Sequence, residues 1–498
     1  MKKALFFIWV LCLMALLSAG CTSGNTSGTP GQSIYSDAVN KEAAGAYFTA
    51  NALYQQALPL LRQEGNAALT RQARMGWKRT YIIMSDFSKT GEQIQNALVN
   101  SLTITDGQIN FILSRLIYLD IEQRRYYFSD FGETALHLDL ALLMQVPTVL
   151  ARNRLGYGVL EPLINTPGPT SGSPYIHPIT YQATATYNVP RSALPATGLL
   201  KIWQAVPVMT DCQTEVTMIS VTPAGYVKNP ATLTGDLGDI YLEVPLASLA
   251  GNLQIEIKFQ FKHYEQRFTM INPANIGIYD TSSALYREYT ASGKNIFINA
   301  AITAKAYEIV GWEQNPYRAA RKIYNHVVNN LSYSHIPHAS LESLGIPESV
   351  FVHEHGYGDC GAQSMYFAAL CRAVGIPARA TGGYQLFPGM EGTHFWAEIY
   401  LPNYGWIPVD TSVGQISNYI PELSAAQKQA FQDYFFGSMD PYRMVIQKDV
   451  DLPFSPPAPE PTSLSTTLQL PVALCDEMDG SPDEAIWPYY RVQFTRLP

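Results

Sequence analysis

The stretch Gly-Asp-Cys-Gly-Ala-Gln-Ser-Met-Tyr-Phe-Ala-Ala-Leu-Cys-Arg-Ala-Val-Gly-Ile-Pro, residues 358–377, predicts a helix that begins at Cys360. Apolar residues recur three and four apart along it, at Phe367, Leu370, Cys371 and Val374. The Gly-Ile-Pro sequence at the end stops the helix. Cys360 therefore lies at a helix N-terminus, where unpaired backbone N–H groups and the helix dipole are expected to stabilise a thiolate.

Two short strands follow this helix. In residues 394–401 apolar and polar side chains alternate, and in residues 406–410 they alternate again. Matching the apolar faces of the two strands puts Ile399 opposite Ile407, because a slip of one residue would mix the faces. In that register Asp410 is diagonal to His394, with about 7–8 Å between their backbones. The sequence thus predicts that an imidazole and a carboxylate meet on one hairpin.

A thiol, an imidazole and a carboxylate in this arrangement are the parts of a nucleophile, a base and a residue that orients the base. Cys360, His394 and Asp410 are therefore the predicted catalytic residues. Cys371 lies on the apolar stripe of the same helix, about 16 Å from Cys360, and is expected to be an inert core residue.

Several segments together resemble the transglutaminase-like superfamily, and the match covers residues 301–411. The segments are 358–361, 369–379, 382–383, 394–398 and 405–410. The resemblance implies an α+β fold with a papain-like core, in which the cysteine helix packs on an antiparallel sheet that carries His394 and Asp410. It also implies an oxyanion hole made by the Cys360 N–H and an upstream side chain, for which Tyr333 and Tyr357 are candidates. No cofactor and no metal are implied.

The N-terminus has the pattern of an export signal. Two lysines precede an apolar run, and small residues stand before Cys21, so residues 1–20 are predicted to be a signal peptide. The junction resembles the lipobox of bacterial lipoproteins, which implies that Cys21 is lipidated. Residues 21–34 would then be a flexible tether to the membrane, and the protein would lie on the extracytoplasmic face.

In the rest of the chain, the sequence pattern changes between helical periodicity and strand-like alternation. The predicted parts are a helical domain at 35–155, a β-sandwich at 165–285, the transglutaminase-like domain at 290–420 and a C-terminal extension at 421–498. Residues 109–149 read as helical, with an interruption at Pro147. The extension contains a helix within 421–436 and a strand-like tail that is a candidate for pairing with one of the earlier sheets.

Charge and cysteine content limit the partners. The chain has 33 basic and 41 acidic residues, and removing Lys2 and Lys3 with the signal changes the net charge from −8 to −10. No basic stripe is present, which argues against a nucleic-acid partner. Four cysteines follow Cys21, at positions 212, 360, 371 and 475, too few for a disulfide framework. A bridge between Cys212 and Cys475 is left open.

Three functions fit these observations. The first is a cell-surface enzyme that hydrolyses peptide, protein or cell-envelope amides through a Cys-His-Asp triad and a thioester; cross-linking of protein glutamines to amines is its variant. The second is a non-catalytic binding or scaffold protein of the envelope. The third is a metal site built from closely spaced histidines at positions 335, 338, 353 and 355.

Overall fold

The computed structural model describes residues 28–458, 467–478 and 481–498. The predicted signal peptide and Cys21 lie outside these residues. The chain divides into two compact units. The smaller contains residues up to Ala44 and Thr49–Trp77, and the larger contains Gly45–Phe48 and Lys78–Pro498. Within the described residues, no helix combines the length and the apolarity needed to cross a membrane.

Helices and strands are numbered here in chain order. The α-helices are α1 (Pro30–Ala43), α2 (Tyr47–Gln63), α3 (Ala67–Asp86), α4 (Gly91–Ser101), α5 (Asp106–Arg115), α6 (Gly132–Leu138), α7 (Leu140–Leu143), α8 (Pro147–Ile164), α9 (Ala284–Thr290), α10 (Ala300–Val310), α11 (Pro316–Asn330), α12 (His338–Leu344), α13 (Glu348–His355), α14 (Cys360–Ala373), α15 (Thr411–Gln415), α16 (Ala425–Tyr434) and α17 (Pro482–Ile486). The strands are β1 (Phe87–Lys89), β2 (Tyr118–Ile121), β3 (Arg124–Phe128), β4 (Tyr175–Val189), β5 (Leu199–Ala205), β6 (Gln213–Thr222), β7 (Val227–Asn229), β8 (Asp239–Pro245), β9 (Leu253–Arg267), β10 (Ser332–Tyr333), β11 (Tyr357–Gly358), β12 (Ala378–Gln385), β13 (Gly392–Leu401), β14 (Gly405–Val409), β15 (Ser438–Met439), β16 (Arg443–Gln447), β17 (Val472–Leu474) and β18 (Tyr490–Arg496).

The smaller unit is helical. Its buried side chains come from the apolar stripes of α1, α2 and the first half of α3, and they include Tyr54, Leu61 and Trp77. The hydroxyl of Tyr54 donates to Glu42 at 2.5 Å, which gives the buried phenol a polar partner. This unit is a short helical assembly stabilised by apolar burial.

The predicted helical stretch 109–149 is only partly helical. Strands β2 and β3 form an antiparallel hairpin inside it, and β1 adds a third strand. Glu122 and Gln123 make the turn with φ of 48° and 69°, values that turn sequences usually meet with Asn-Gly. The hairpin was missed because its turn residues carry no turn signal. Pro147 was also misread: it stands at the first turn of α8, where proline begins a helix rather than interrupting one.

Two antiparallel sheets form the predicted sandwich. One contains β15, β9, β4 and β18, with β6 paired to β9, and the other has the order β17-β5-β8-β7. The inner faces of both sheets share one apolar core, which includes Tyr187, Trp203 and Phe259. The strand-like tail does pair back, because β18 lies antiparallel to β4 with Val492 opposite Ala185.

The remaining large sheet has the order β14-β13-β12-β16. Helix α14 packs against β12 and β13, and Phe367, Leu370 and Cys371 of this helix are fully buried. The α+β fold class, with a cysteine helix on an antiparallel sheet, is therefore confirmed. Helix α11 spans Pro316–Asn330.

Strand β16 reaches this sheet from the predicted C-terminal extension and lies unusually close to β12. A Cβ atom at Gly383 would come 1.7 Å from the carbonyl oxygen of Met444, so only glycine allows this approach. The extension also supplies β15, β17 and β18 to the sandwich. The exact bounds of the six predicted segments of the chain stay a prediction.

Candidate active site

Cys360 is the first residue of α14, as predicted, and is partly buried. Asp359 caps the helix: its Oδ1 accepts the backbone N–H of Ala362 at 3.0 Å. The hydroxyl of Ser364 donates to the Cys360 carbonyl at 2.7 Å. The cap and the first turn therefore fix the position of the thiol.

The predicted lowering of the thiol pKa is wrong for this site without substrate. Burial and the adjacent Asp359 carboxylate raise the pKa of Cys360 well above its ordinary value, although backbone N–H groups of Phe395 and Gly361 act in the opposite direction. A negatively charged cap offsets the helix dipole that the sequence argument relied on. The raised pKa favours the thiol form of Cys360 over the thiolate.

His338 binds the other side of the Asp359 carboxylate. Its two ring nitrogens lie 2.6 Å from Asp359 Oδ2 and 2.7 Å from Glu348 Oε1. Burial opposes the imidazolium, but the two carboxylates raise the pKa of His338 well above its ordinary value. The protonated ring donates to both acids and holds the cap of the cysteine helix in place.

His394 and Asp410 meet as the hairpin register predicts. Ile399 lies opposite Ile407, and His394 Nε2 is 2.8 Å from Asp410 Oδ2. Because a carboxylate only accepts, Nε2 carries the proton and Nδ1 keeps its lone pair. Asp410 is fully buried. Burial alone would raise its pKa, but the charges of His394 and Arg443 hold the pKa well below its usual range.

Behind Asp410 lies a buried ionic pair that the sequence did not reveal. Arg443 Nη1 donates to Asp410 Oδ2 at 2.7 Å, the same oxygen that accepts from His394. The Nε and Nη2 groups of Arg443 donate to Asp440 Oδ2 at 3.0 and 2.7 Å. Arg443 has no exposed surface and lies between the rings of Trp396 and Phe387. The resulting chain is His394, Asp410, Arg443 and Asp440.

A second side chain from the C-terminal extension contacts β13, the strand that carries His394. Gln469 Nε2 donates at 2.8 Å to the carbonyls of both His394 and Gly383. Arg443 and Gln469 lie well after the motifs in sequence, and no periodic pattern marks them. Only the pairing of β16 with β12 brings Arg443 to Asp410.

The two oxyanion candidates lie in different surroundings. Tyr333 lines a cavity with Cys360 and His394, and burial together with the nearby thiol raises its pKa well above the ordinary value. It therefore stays protonated and able to donate. The hydroxyl of Tyr357 accepts the backbone N–H of Ile117 at 3.1 Å and is occupied there. Of the two, Tyr333 is the one placed at the thiol.

Cys360 adjoins cavities on more than one side. A cavity of about 130 Å³ is lined by Cys360, His394 and Tyr333, and a second, of about 590 Å³, shares Cys360 and Tyr333 with it. A third, of about 230 Å³, is lined by Cys360 together with Phe395, Leu470 and Trp487. The thiol thus has room for groups on two sides of a reacting carbonyl.

The other sequence candidates do not lie at this site. Cys371 has no exposed surface, and burial raises its pKa well above the ordinary value. Cys212 and Cys475 are both free thiols, so the bridge left open by the sequence is absent. Cys21 lies outside the described residues.

The four histidines of the metal hypothesis are engaged separately. His335 contacts Asp130 and Glu133, His338 contacts Glu348 and Asp359, His353 contacts Tyr366, and the His355 ring stacks on Phe351. Among the residues that the structure describes, no group of three or more histidine, cysteine or acidic side chains is arranged to hold a metal ion.

Comparison with known proteins gives one family match and several more distant ones. Residues 303–411 match the model of the transglutaminase-like superfamily. An uncharacterised protein of Haemophilus influenzae is 26% identical over 180 residues, which cover 31% of this chain and 48% of that protein. The alignment thus spans about half the length of that relative.

Two solved structures are also similar. One is a candidate cysteine protease from Cytophaga hutchinsonii, with a TM-score of 0.37, 14% identity, and coverage of 65% of this chain and 92% of that one. The other is the periplasmic domain of TgpA from Pseudomonas aeruginosa, with a TM-score of 0.25, 12% identity, and coverage of 55% and 95%.

The family match agrees with the local geometry. It contains the cysteine helix and the hairpin, and so it includes Cys360, His394 and Asp410. Residues 303–411 of this chain are therefore a segment that matches the transglutaminase-like superfamily.

Proposed function

We propose that this protein is a cysteine acyl-transfer enzyme that hydrolyses peptide or other amide bonds, with Cys360 as nucleophile, His394 as base and Asp410 as the residue that orients His394. One observation carries the proposal: the buried hydrogen bond of 2.8 Å between His394 and Asp410, with His394 lining the same cavity as Cys360. That arrangement leaves Nδ1 of His394 as the available acceptor.

The reaction follows from these groups. His394 Nδ1 takes the Cys360 proton as sulfur attacks the amide carbonyl, and the carbonyl π electrons move to oxygen. The C=O double bond re-forms, the C–N bond breaks, and the amine leaves with the proton from His394. Water then attacks the thioester with His394 as base, releasing the acid and restoring the thiol. Cavities on different sides of Cys360 suit a substrate that continues beyond both ends of the amide.

The oxyanion would be bound by the Cys360 N–H and the Tyr333 hydroxyl. Tyr333→Phe removes one donor and should lower kcat about 100-fold or more, with little change in KM. Steady-state kinetics measure both parameters. Tyr357→Phe is the matched control, since that hydroxyl binds Ile117 instead. An unchanged kcat in Tyr333→Phe would exclude this role for the phenol.

The central experiment is incubation of the wild type and Cys360→Ala with peptide libraries, with and without a primary amine. We expect hydrolysis by the wild type and none by the variant, while Cys371→Ala stays active. Amine incorporation without hydrolysis would support the cross-linking alternative instead. Equal activity of the wild type and Cys360→Ala would refute the triad.

The non-catalytic alternative is separated by chemical labelling. A functional nucleophile should react with iodoacetamide much faster than Cys371, which is fully buried. Peptide mass spectrometry gives both rates in one sample. Labelling of Cys360 no faster than Cys371 would favour a binding or scaffold protein.

We also propose that the protein is anchored to the membrane by a lipid on Cys21 and acts on peptide, protein or cell-envelope amides outside the cytoplasm. The support is the sequence pattern of residues 1–21. Cys21→Ser should release the protein from the membrane fraction, and intact mass should show loss of the acyl chains. The lipid anchor would be refuted if the Cys21→Ser protein stayed in the membrane fraction and the wild-type mass showed no acyl chains.

A further inference from the structure

Arg152 of α8 lies beside the nucleophile. It lines both the 130 Å³ and the 590 Å³ cavity, and Cys360 lines both as well. Among the residues that the structure describes, no lysine and no other arginine lines either cavity. Arg152 comes from a part of the chain that precedes the family match at 303–411. Its place at the thiol is therefore a property of this chain rather than of the matched core.

The carboxylates around these cavities are already engaged. Nε2 of His335 lies 2.8 Å from Oε2 of Glu133, and Nε2 of His338 lies 2.6 Å from Oδ2 of Asp359. Exposed Glu391 accepts the backbone N–H of Gly389. Within the described residues, Arg152 makes no ion pair or hydrogen bond. Its charge does act at longer range on Glu133, whose pKa is lowered chiefly by His335 against the effect of burial. A guanidinium without a bound carboxylate thus faces the site.

The next residue supplies an independent second observation. Asn153 lines the smaller cavity with Cys360 and His394, and its Nδ2 is buried without a hydrogen-bond partner. A buried amide donor without an acceptor costs about 1–3 kcal/mol, so such a group usually has a partner when the site is occupied. Nδ2 only donates, and the partner it lacks is therefore an acceptor.

We propose that Arg152 and Asn153 form a subsite for a carboxylate of the substrate, close to the amide that Cys360 attacks. A guanidinium and an amide N–H are both donors, and a carboxylate accepts from both at once. This proposal rests on the proposed function and specifies its substrate class: a peptide or related amide that bears an acidic group near the scissile bond. The subsite distinguishes an acid from its amide, which has the same shape but no charge.

The test needs no knowledge of the natural substrate. Iodoacetate and iodoacetamide have nearly the same size and alkylate the same sulfur, but only iodoacetate carries a carboxylate. The ratio of their second-order rates at Cys360 cancels any change in the thiolate fraction. Bromoacetyl-glycine and bromoacetyl-glycinamide form a second pair that reaches one residue further from the sulfur, about 3.6 Å.

In the wild type, the acid-to-amide rate ratio at Cys360 should exceed that of the unfolded protein, and the rate with the acid should saturate. Arg152→Gln should lower this ratio at least about tenfold, the effect of losing one charge-assisted hydrogen bond. Asn153→Ala should lower it by a smaller factor. Arg154→Gln is the matched control: it lies on the same helix, pairs with Glu422 and lines neither cavity.

The outcomes separate the two proposals. If Cys360 reacts with neither pair of reagents, the nucleophile assignment fails. If it reacts with the amides but both wild-type ratios match those of the unfolded protein, the subsite is refuted and the nucleophile stands. Equal ratios in the wild type and Arg152→Gln would also refute the subsite. With a peptide substrate in hand, replacing glutamate by glutamine should raise KM in the wild type and not in Arg152→Gln.

Discussion

At the scale of single residues, the proposed triad depends on charged groups that the sequence motifs do not contain. Asp410 and Arg443 alone would nearly cancel, and a neutral pair would stabilise an imidazolium on His394 poorly. Asp440 restores one net negative charge, because it binds the other side of Arg443. Asp410 contacts His394 directly, and Arg443 and Asp440 lie behind Asp410. Other ionisable groups line the same cavity as His394: Cys360, Arg152, Glu133, His137, Tyr333 and Tyr419.

Two substitutions in the charged residues behind His394 should move the pH profile of kcat/KM in opposite directions. Asp440→Asn keeps an acceptor for Arg443 and removes a negative charge, so the acid limb of kcat/KM should move to lower pH. Arg443→Gln removes a positive charge, and the limb should move to higher pH. Rates on any peptide that the wild type cleaves, measured across pH, give both shifts.

If Arg443 and Asp440 had a purely structural role, their substitution would lower activity equally at every pH and would not move the acid limb of kcat/KM. Arg443→Gln leaves Asp410 and Asp440 buried without their positive partner. The variant carries a risk of misfolding, since breaking a buried ion pair costs about 3–5 kcal/mol. Asp440→Asn avoids that risk and tests the charge argument alone. A limb that does not move in Asp440→Asn contradicts it.

At the scale of elements, the approach of β16 to β12 depends on Gly383. An added Cβ would collide with the backbone of Met444, and backbone cannot rotate away. Gly383→Ala should therefore lower the free energy of unfolding by about 3 kcal/mol or more, a severe case of overpacking. Gly392→Ala, on the neighbouring strand, meets no atom within 4 Å and is the matched control. Urea titration of both variants checks the difference; equal stabilities would show that the strands can separate.

A second link between elements depends on pH. His335, next to β10, contacts Glu133 of α6 and Asp130 just before it. The hydrogen bond with Glu133 and the charges of both acids raise the pKa of His335 to about 9. The stabilisation is complete below the ordinary histidine pKa of about 6.5 and is lost as pH rises through about 9.

The wild type should therefore be more stable than His335→Gln at pH 6, and the difference should shrink between pH 6.5 and 9. Measuring the free energy of unfolding of both proteins across this range isolates His335, because other titrating groups cancel in the comparison. A constant difference would mean that the ring is held by packing rather than by charge.

The helix, the hairpin register and the pairing of His394 with Asp410 could be predicted because each follows from a local pattern. Periodicity located α14, and alternation fixed Ile399 opposite Ile407. The same reasoning failed where the determinant is distant or lacks a pattern. Arg443 reaches Asp410 only through strand pairing, and the Asp359 cap reversed the expected shift of the thiol pKa.

At the scale of the whole larger unit, the family match ends before the site does. It stops at residue 411, whereas Asp440, Arg443 and Gln469 all follow. Strand β16 also touches the sandwich side, since the N–H groups of Val208 and Gly238 donate to Val445 and Ile446. The transglutaminase-like core is therefore built into its neighbour rather than appended to it.

A fragment limited to the predicted catalytic domain, residues 290–420, should accordingly fail to fold. It lacks β16 and leaves Asp410 without Arg443 in a buried position. Circular dichroism during urea titration should show no cooperative transition for the fragment and a clear one for the full chain. A cooperative transition with activity in the fragment would show that the domain is autonomous and that Arg443 is dispensable.

The pairing of β18 with β4 has a consequence for how the molecule is made. A ribosome delivers β4 long before β18, and β16 also follows the strands that it joins. During synthesis one edge of the sandwich and one side of β12 stay open, each with unpaired backbone groups. Such non-local closure folds slowly, and a growing chain with an open edge is prone to aggregate. The order of synthesis thus leaves these edges open to aggregation, and it delays completion of the site until Arg443 and Gln469 have been added.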